Sequence, residues 1–292
     1  MNLAWVLRRW IGEQARAGIH KTVAQGFSGQ AGPDAAVSAP VQPCDVGLVF
    51  ALSIESGCTE DLLDGVVTTR GDGFLVRQGS LAGRGIVIVE AGAGKLAAAR
   101  ATQALVAGHR PRWIISAGFA GGLVDPLRRG DFLMASEIVD TSGKKLSIDF
   151  KIDAAALSSS KTVCHVGRLL TTDRIVSRAA EKRELGLTHQ ALAVDMESWA
   201  VGEVCRQDKV RFLAIRIVSD AVDDELPGDL GRMLMQRTRA GRFGAVAGTL
   251  FRRPASIKDM FKLKEEALIA SDRLAKFLRG VIEQLVPEPP SQ

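Results

Sequence analysis

Residues 193–224 read AVDMESWAVGEVCRQDKVRFLAIRIVSDAVDD, and their reading decides the architecture. The second half holds an apolar, β-branched run of strand length, Phe212 to Val218, that stops at Ser219-Asp220. The first half reads as a helix from about Glu197, with Ala200, Val201, Val204 and Cys205 at core-facing spacing. In α/β proteins, ligands sit beyond the carboxyl ends of buried strands, which is where Asp220 stands. Glu197, at a helix start, can bring a second carboxylate to the same crevice. Spacing alone leaves a second account open, in which Glu197 caps a helix and Asp220 begins a turn.

Working outward, the same pattern recurs. Asp45 to Leu52 is a buried-strand run, and Glu55 lies just past its end before another helix. A Gly-containing, hairpin-like stretch (Arg70 to Gly85) leads into the strand Gly85 to Glu90. AGAGKLAAARATQALVAG (91–108) then turns on glycines into an Ala-rich helix. Backbone N–H groups at such a turn can hold an anion or hydroxyl, although tight strand-to-helix packing explains the glycines equally well. Trp113 to Ala117 is a further strand, followed by the glycines of 118–122, which permit close approach of backbone. Leu127 to Ser136 reads as a turn into a strand, 140–162 as polar and irregular, Val163 to Thr172 as a strand, and Ser177 to Leu185 as a charged helix. Strands alternating with helices predict an α/β sandwich around one sheet.

Composition bounds the rest. With 292 residues, 46% of them hydrophobic, the chain can bury a large core, and aliphatic side chains carry it because Tyr is absent. Cys44, Cys58, Cys164 and Cys205 are scattered without a C-x-x-C pair, which argues for reduced intracellular thiols and a cytoplasmic location. No His/Cys cluster has ligand spacing, so no metal and no redox cofactor is expected.

The net charge of +5 is mild but unevenly placed. Leu3, Val6, Leu7, Trp10 and Ile11 fall on one helical face with Arg8 and Arg9 between them, a short basic amphipathic helix. Residues 26–43 (GFSGQAGPDAAVSAPVQP) read as a linker. Residues 230–264 are rich in Arg and Lys interleaved with Leu, Met and Phe, and a final helix, Glu265 to Leu285, precedes a 287–292 tail. The expected organisation is therefore 1–43 helix and linker, 44–286 catalytic domain with the 230–264 insertion, and tail. Both basic pieces suit either peripheral contact with an anionic membrane or packing on the domain or a partner subunit. Nucleic acid suits them less well, since aromatics for base stacking are sparse.

Four segments in order carry a resemblance: the strand end with Glu55, AGAGKLAAA (91–99), IISAGFAGGL with RRGDFLMAS (114–136), and AVDMES with IRIVSDAVD (193–223). Together they resemble the purine nucleoside phosphorylase/uridine phosphorylase superfamily, most of all its methylthioadenosine/S-adenosylhomocysteine nucleosidases. The resemblance implies a three-layer α/β/α fold around a central mixed sheet, cleavage of an N-ribosidic bond and a homodimer. By position, Asp220 is similar to the general acid that protonates the purine, with Ser219 beside it. Glu197 and Met196 resemble the pair that grips and covers the ribose, and Glu55 the carboxylate that activates water. Ile175–Val176 correspond to the purine-edge contact and Ala91–Gly92 to the site near the nucleophile. Phe119 joins the substrate-binding set where a small polar residue is usual.

The chemistry is consistent with those roles. Glycosidic cleavage passes through an oxocarbenium-like state, so the leaving base needs a proton and the anomeric carbon a nucleophile. A carboxylic acid supplies the first and a carboxylate-bound water the second. A carboxylate accepting from vicinal hydroxyls explains a Glu on the ribose. Phosphate users of the superfamily need guanidinium groups, one of which typically stands where this chain has Ser116. With Glu55 at the first strand end, hydrolysis is expected, while Arg84, Arg112 and Arg216 are left as cations able to reach the site. The 131–172 connection also lacks the aromatics that line the nucleosidases' 5′ pocket, and the basic insertion resembles the hopanoid-associated branch. A lipid-linked nucleoside such as adenosylhopane is therefore the alternative substrate, and a catalytically idle nucleoside-binding module the alternative class.

Overall fold

The computed structural model describes residues 43–71, 74–149, 152–157, 162–226 and 256–285. The basic helix and linker expected at the amino end (to residue 42), positions 230–255 of the insertion, and the tail lie outside them. Among the described residues no helix is long and apolar enough to cross a membrane, and none of the four cysteines is in a disulfide.

In chain order the first elements are β1 (Val46–Phe50), α1 (Ser53–Glu60), β2 (Asp64–Gly71), β3 (Phe74–Leu81), β4 (Arg84–Glu90), α2 (Lys95–His109) and β5 (Trp113–Gly122). There follow β6 (Phe132–Asp140), β7 (Lys145–Ser147), α3 (Ala154–Leu157), β8 (Cys164–Thr171), α4 (Ala179–His189), β9 (Ala193–Asp195), α5 (Ser198–Gln207), β10 (Arg211–Asp220) and α6 (Ser256–Leu285). Three differences from the sequence pattern bear on the site. β5 continues through its glycines to Gly122, β10 runs to Asp220, and the final helix begins at Ser256 instead of Glu265. The glycines do not end β5 because Gly121 and Gly122 find partners in Val194 and Ala193 of β9. The stretch read as irregular, 140–162, contains β7 and α3.

The sheet is mixed. β1, buried at every position, lies between parallel β4 and β5, and antiparallel β3 and β2 extend that side. On the other side β5 pairs with β10, β10 with β6, β6 with β8, β8 with β9, and β9 returns to β5. Half of the sheet thus closes on itself, which removes the free edges there. The helices supply the outer layers: α1 packs with α6, and α2 with α5. α6 buries Leu274, Phe277, Leu278, Val281 and Ile282, spaced three to four apart as a single apolar stripe requires. Phe277 stacks on Phe132 of β6 at 4.1 Å between ring centroids. This is the three-layer α/β/α arrangement.

α4 covers the closed half through two small contacts. Its buried positions are Lys182 and Gly186, one turn apart. A Cβ at Gly186 would lie 2.7 Å from the backbone oxygen of Leu123, so the helix approaches the end of β5 only because that side chain is missing. Gly186→Val should lower the unfolding free energy by about 1–3 kcal/mol through overpacking, read as a lower urea midpoint with an unchanged slope.

Candidate active site

Where β1 and β4 end, against the middle of β5, lies a pocket whose lining includes Phe50, Ala51, Glu55, Ala91, Phe119 and Glu197, with Ser116, Gly118 and Arg216. β1 stops at Phe50 and α1 starts at Ser53, so the third residue of α1, Glu55, is held at the sheet's edge. Its Oε2 accepts from the backbone N–H of Ala51 at 3.1 Å and Leu52 at 2.8 Å. Its Oε1 accepts from Phe119 N–H at 2.8 Å. A Cβ at Gly118 would lie 2.6 Å from Oε1, so the carboxyl rests against bare backbone of β5. Burial pushes the Glu55 carboxyl above its ordinary range, while the three N–H groups and Arg216 act the other way.

Glu197 stands at the N-cap of α5, and its side chain makes no hydrogen bond to that helix. Asp195 does the capping, its Oδ2 accepting from Ser198 N–H at 3.0 Å. Glu197 is thereby left to accept, through Oε1, from Gly94 N–H at 2.7 Å. The turn before α2 therefore holds one of the protein's own carboxyls. The other two N–H groups expected there are used internally, Ala91 by Phe50 O at 2.8 Å and Gly92 by Ala51 O at 3.1 Å. Ala91 lines the pocket, whereas Gly92 does not. Burial first, then the Asp195 charge, raises the Glu197 carboxyl from 4.5 to about 8.

Arg216 is the cation of this pocket, and it is saturated. Its Nε and Nη2 reach Asp195 Oδ2 at 3.0 and 2.6 Å. Nη2 also donates to Ser116 Oγ and Ser198 Oγ, each at 2.7 Å, and Nη1 to the carbonyls of Ser116 at 2.8 Å and Ile215 at 2.9 Å. Arg84 and Arg112 are elsewhere: they precede β4 residue Gly85 and β5 residue Trp113, at the amino ends of their strands, and Arg112 pairs with Asp45. Of the three arginines left open by the sequence, only Arg216 reaches the pocket.

Asp220 does not line this pocket but ends β10 beside it. It pairs in register with Gly121, two residues past Phe119 on β5, or about 7 Å along the strand. A Cβ at Gly121 would lie 3.1 Å from Asp220 Oδ2. Oδ1 is 2.6 Å from Ser219 Oγ, and Ser219 Oγ is 3.2 Å from Ala120 O. Oδ2 accepts from Lys182 Nζ at 2.5 Å. Met196 and Ile175 are half-buried, and neither lines the pocket. The Val176 side chain packs in a small cluster with Leu123, Leu170 and Val194. The loop from Thr172 is tied to Asp195, whose carbonyl accepts Thr172 N–H at 2.9 Å. Asp195 and Lys182 are functional neighbours that sequence reasoning misses, and Arg216 reads there only as a phosphate candidate. A lone Arg in a buried apolar strand is the one signal of an internal ion pair.

Known proteins resemble the chain in these parts. A family model described as Phosphorylase superfamily matches residues 50–247. The 5′-methylthioadenosine/S-adenosylhomocysteine nucleosidase of Aeromonas salmonicida is 30% identical over 62% of this chain and 87% of its own length. The crystal structure of the Neisseria meningitidis nucleosidase of that name, in complex with methylthio-immucillin-A, superposes with a TM-score of 0.63 at 21% identity, covering 82% of this chain and 99% of that one. The Colwellia psychrerythraea nucleosidase, in complex with adenine, gives a TM-score of 0.65 at 21% identity over 86% and 99%.

The raised Glu197 carboxyl carries a stability signature. A group whose folded value lies above its unfolded one stabilises fully below 4.5, and that contribution is lost as pH rises through about 8. Glu197→Gln keeps the acceptor for Gly94 and removes the titration. Denaturant unfolding at pH 5, 7 and 8.5 should show the variant gaining stability relative to the parent as pH rises.

Proposed function

The chain belongs to the phosphorylase superfamily, and from that premise we propose that it is an N-glycosidase: it hydrolyses the N-ribosidic bond of an adenosyl nucleoside of the methylthioadenosine/S-adenosylhomocysteine kind and releases adenine. The observation that carries hydrolysis over phosphorolysis is the saturation of Arg216. Among the described residues lining the pocket it is the one cation, and each of its nitrogens already serves Asp195, Ser116, Ser198 or Ile215. A phosphate dianion entering there would find no unengaged guanidinium donor among the described lining residues.

In this reading Glu55 binds the attacking water. Its oxygens hold three backbone N–H groups, which leaves acceptor capacity on a carboxyl whose orientation is already fixed. Glu197 accepts the ribose hydroxyls, and Met196 covers the sugar. Asp220, across the end of β5, gives a proton to the purine as the glycosidic bond breaks, with Ile175 and Val176 along the purine edge. The N–C electron pair leaves with the base, water adds to the anomeric carbon, and its proton goes to Glu55. Two carboxyls on opposite sides of the bond meet the demands of an oxocarbenium-like transition state.

Purified protein should release adenine from methylthioadenosine and S-adenosylhomocysteine in phosphate-free buffer, measured by chromatography. Glu55→Gln should lower kcat by about 10²–10⁴-fold, the usual weight of a general base. Turnover that requires added phosphate would overturn hydrolysis. An Asp220→Asn variant with unchanged turnover would overturn the acid assignment. Nucleoside binding without turnover of any adenosyl substrate would favour an idle module.

A further inference from the structure

Lys182 is a fully buried lysine that the preceding account leaves without a task. It projects from α4, and its Nζ donates to Asp220 Oδ2 at 2.5 Å, Ala221 O at 2.8 Å and Asp224 O at 2.7 Å. An ammonium has three protons, and all three are used. The residues it holds are consecutive with the end of β10. The same loop is held from its other side, where Asp224 Oδ2 accepts from Ala221 N–H at 2.8 Å and from Arg129 at 2.9 Å. Arg129 also pairs with Glu266 of α6.

We infer that Lys182 is a positioning residue for glycosidic cleavage: it fixes Oδ2 of Asp220 as an acceptor, assigns the transferable proton to Oδ1, and stands ready as counter-ion to the carboxylate left after transfer. This rests on the nucleosidase reading above. The hydrogen bonds divide the two oxygens. Oδ2 faces a cation that can only donate, so it is the oxygen without a proton. Oδ1 accepts from Ser219 Oγ at 2.6 Å, a hydroxyl that can turn to Ala120 O at 3.2 Å when Oδ1 carries the proton to be transferred.

The step balances. The Oδ1 proton moves to a purine nitrogen while the glycosidic pair of electrons moves onto the base, so adenine departs neutral. Asp220 is left as an anion, and water supplies the oxygen at the anomeric carbon while its proton goes to Glu55. Solvent returns that proton to Asp220 after the products leave. An anion formed at a residue 3% exposed would be an uncompensated buried charge without a cation in place. Lys182 provides it before the reaction begins, with no reorganisation at the moment of transfer.

The test is a double-mutant cycle with Lys182→Met and Asp220→Asn in the full chain, assayed on methylthioadenosine without phosphate. Lys182→Met should lower kcat about 10- to 100-fold, a part of what general acid catalysis is worth, with KM within about threefold of the parent. In the Asp220→Asn background it should cost nothing further. An unchanged kcat in Lys182→Met, or an equal loss in both backgrounds, overturns the inference while leaving the nucleosidase reading intact. A folded parent enzyme that releases no adenine overturns both. If Lys182→Met does not fold, Lys182→Gln, which keeps a donor for Asp220 Oδ2 and removes the charge, takes its place in the cycle: it should show the same loss of kcat, and an unchanged kcat overturns the inference.

Discussion

The site is built on one buried ion pair. Arg216 and Asp195, each almost wholly inaccessible, meet at 2.6 Å between β10 and the end of β9. Desolvating two charges is expensive, and the geometry offsets it only because nearly every remaining donor and lone pair is also satisfied. Arg216 binds the backbone and hydroxyl of Ser116 on β5 and the hydroxyl of Ser198 on α5, while Thr171 at the end of β8 donates to Asp195 Oδ1 at 2.7 Å. Four strands and one helix converge on a single guanidinium–carboxylate contact. Removing either partner would leave an orphan charge in the middle of the fold, an effect of about 3–5 kcal/mol.

That contact also decides what the neighbouring carboxyls can do. Asp195 takes over the capping of α5, and so Glu197 is free to cross to the turn before α2. The Arg216 charge, fully spent on the interior, tempers Glu55 and Glu197 from a distance. Both carboxyls are seated on backbone N–H groups, which are fixed, neutral and cannot be lost to solvent. Such donors hold orientation well, and they demand bare backbone nearby. Gly118 and Gly94 meet that demand, the first by leaving room for Glu55 and the second by adopting a φ of +96° that side chains resist.

The readable parts of this architecture are those encoded locally. Alternation of apolar strands with helices gives the layers, and the carboxyls at strand and helix ends are visible as Glu55, Glu197 and Asp220. The family match over 50–247 spans the four segments. What sequence cannot show are pairings between distant segments. Lys182 looks like one charge among several on a polar helix, and only the topology places it against Asp220. Arg216 looks like a phosphate ligand until Asp195 is seen beside it. The turn at residues 91–94 illustrates the reverse error: its N–H groups look open to a ligand because their partners, Phe50, Ala51 and Glu197, lie on other elements. The extension of β5 to Gly122 is hidden for the same reason, since the strand that stabilises it, β9, lies far along the chain.

The pairing of Asp220 with Gly121 joins strands far apart in the chain, and the Ser116–Arg216 contact spans 100 residues. On a ribosome, β1, α1 and β5 emerge long before β10 does. A nascent chain at that stage carries the Glu55 half of the pocket with neither the guanidinium beneath it nor the acid beside it. Ser271 of α6, whose hydroxyl donates to the Glu55 carbonyl at 3.2 Å, arrives later still. A chain that stops before β10 therefore lacks both Arg216 and Asp220.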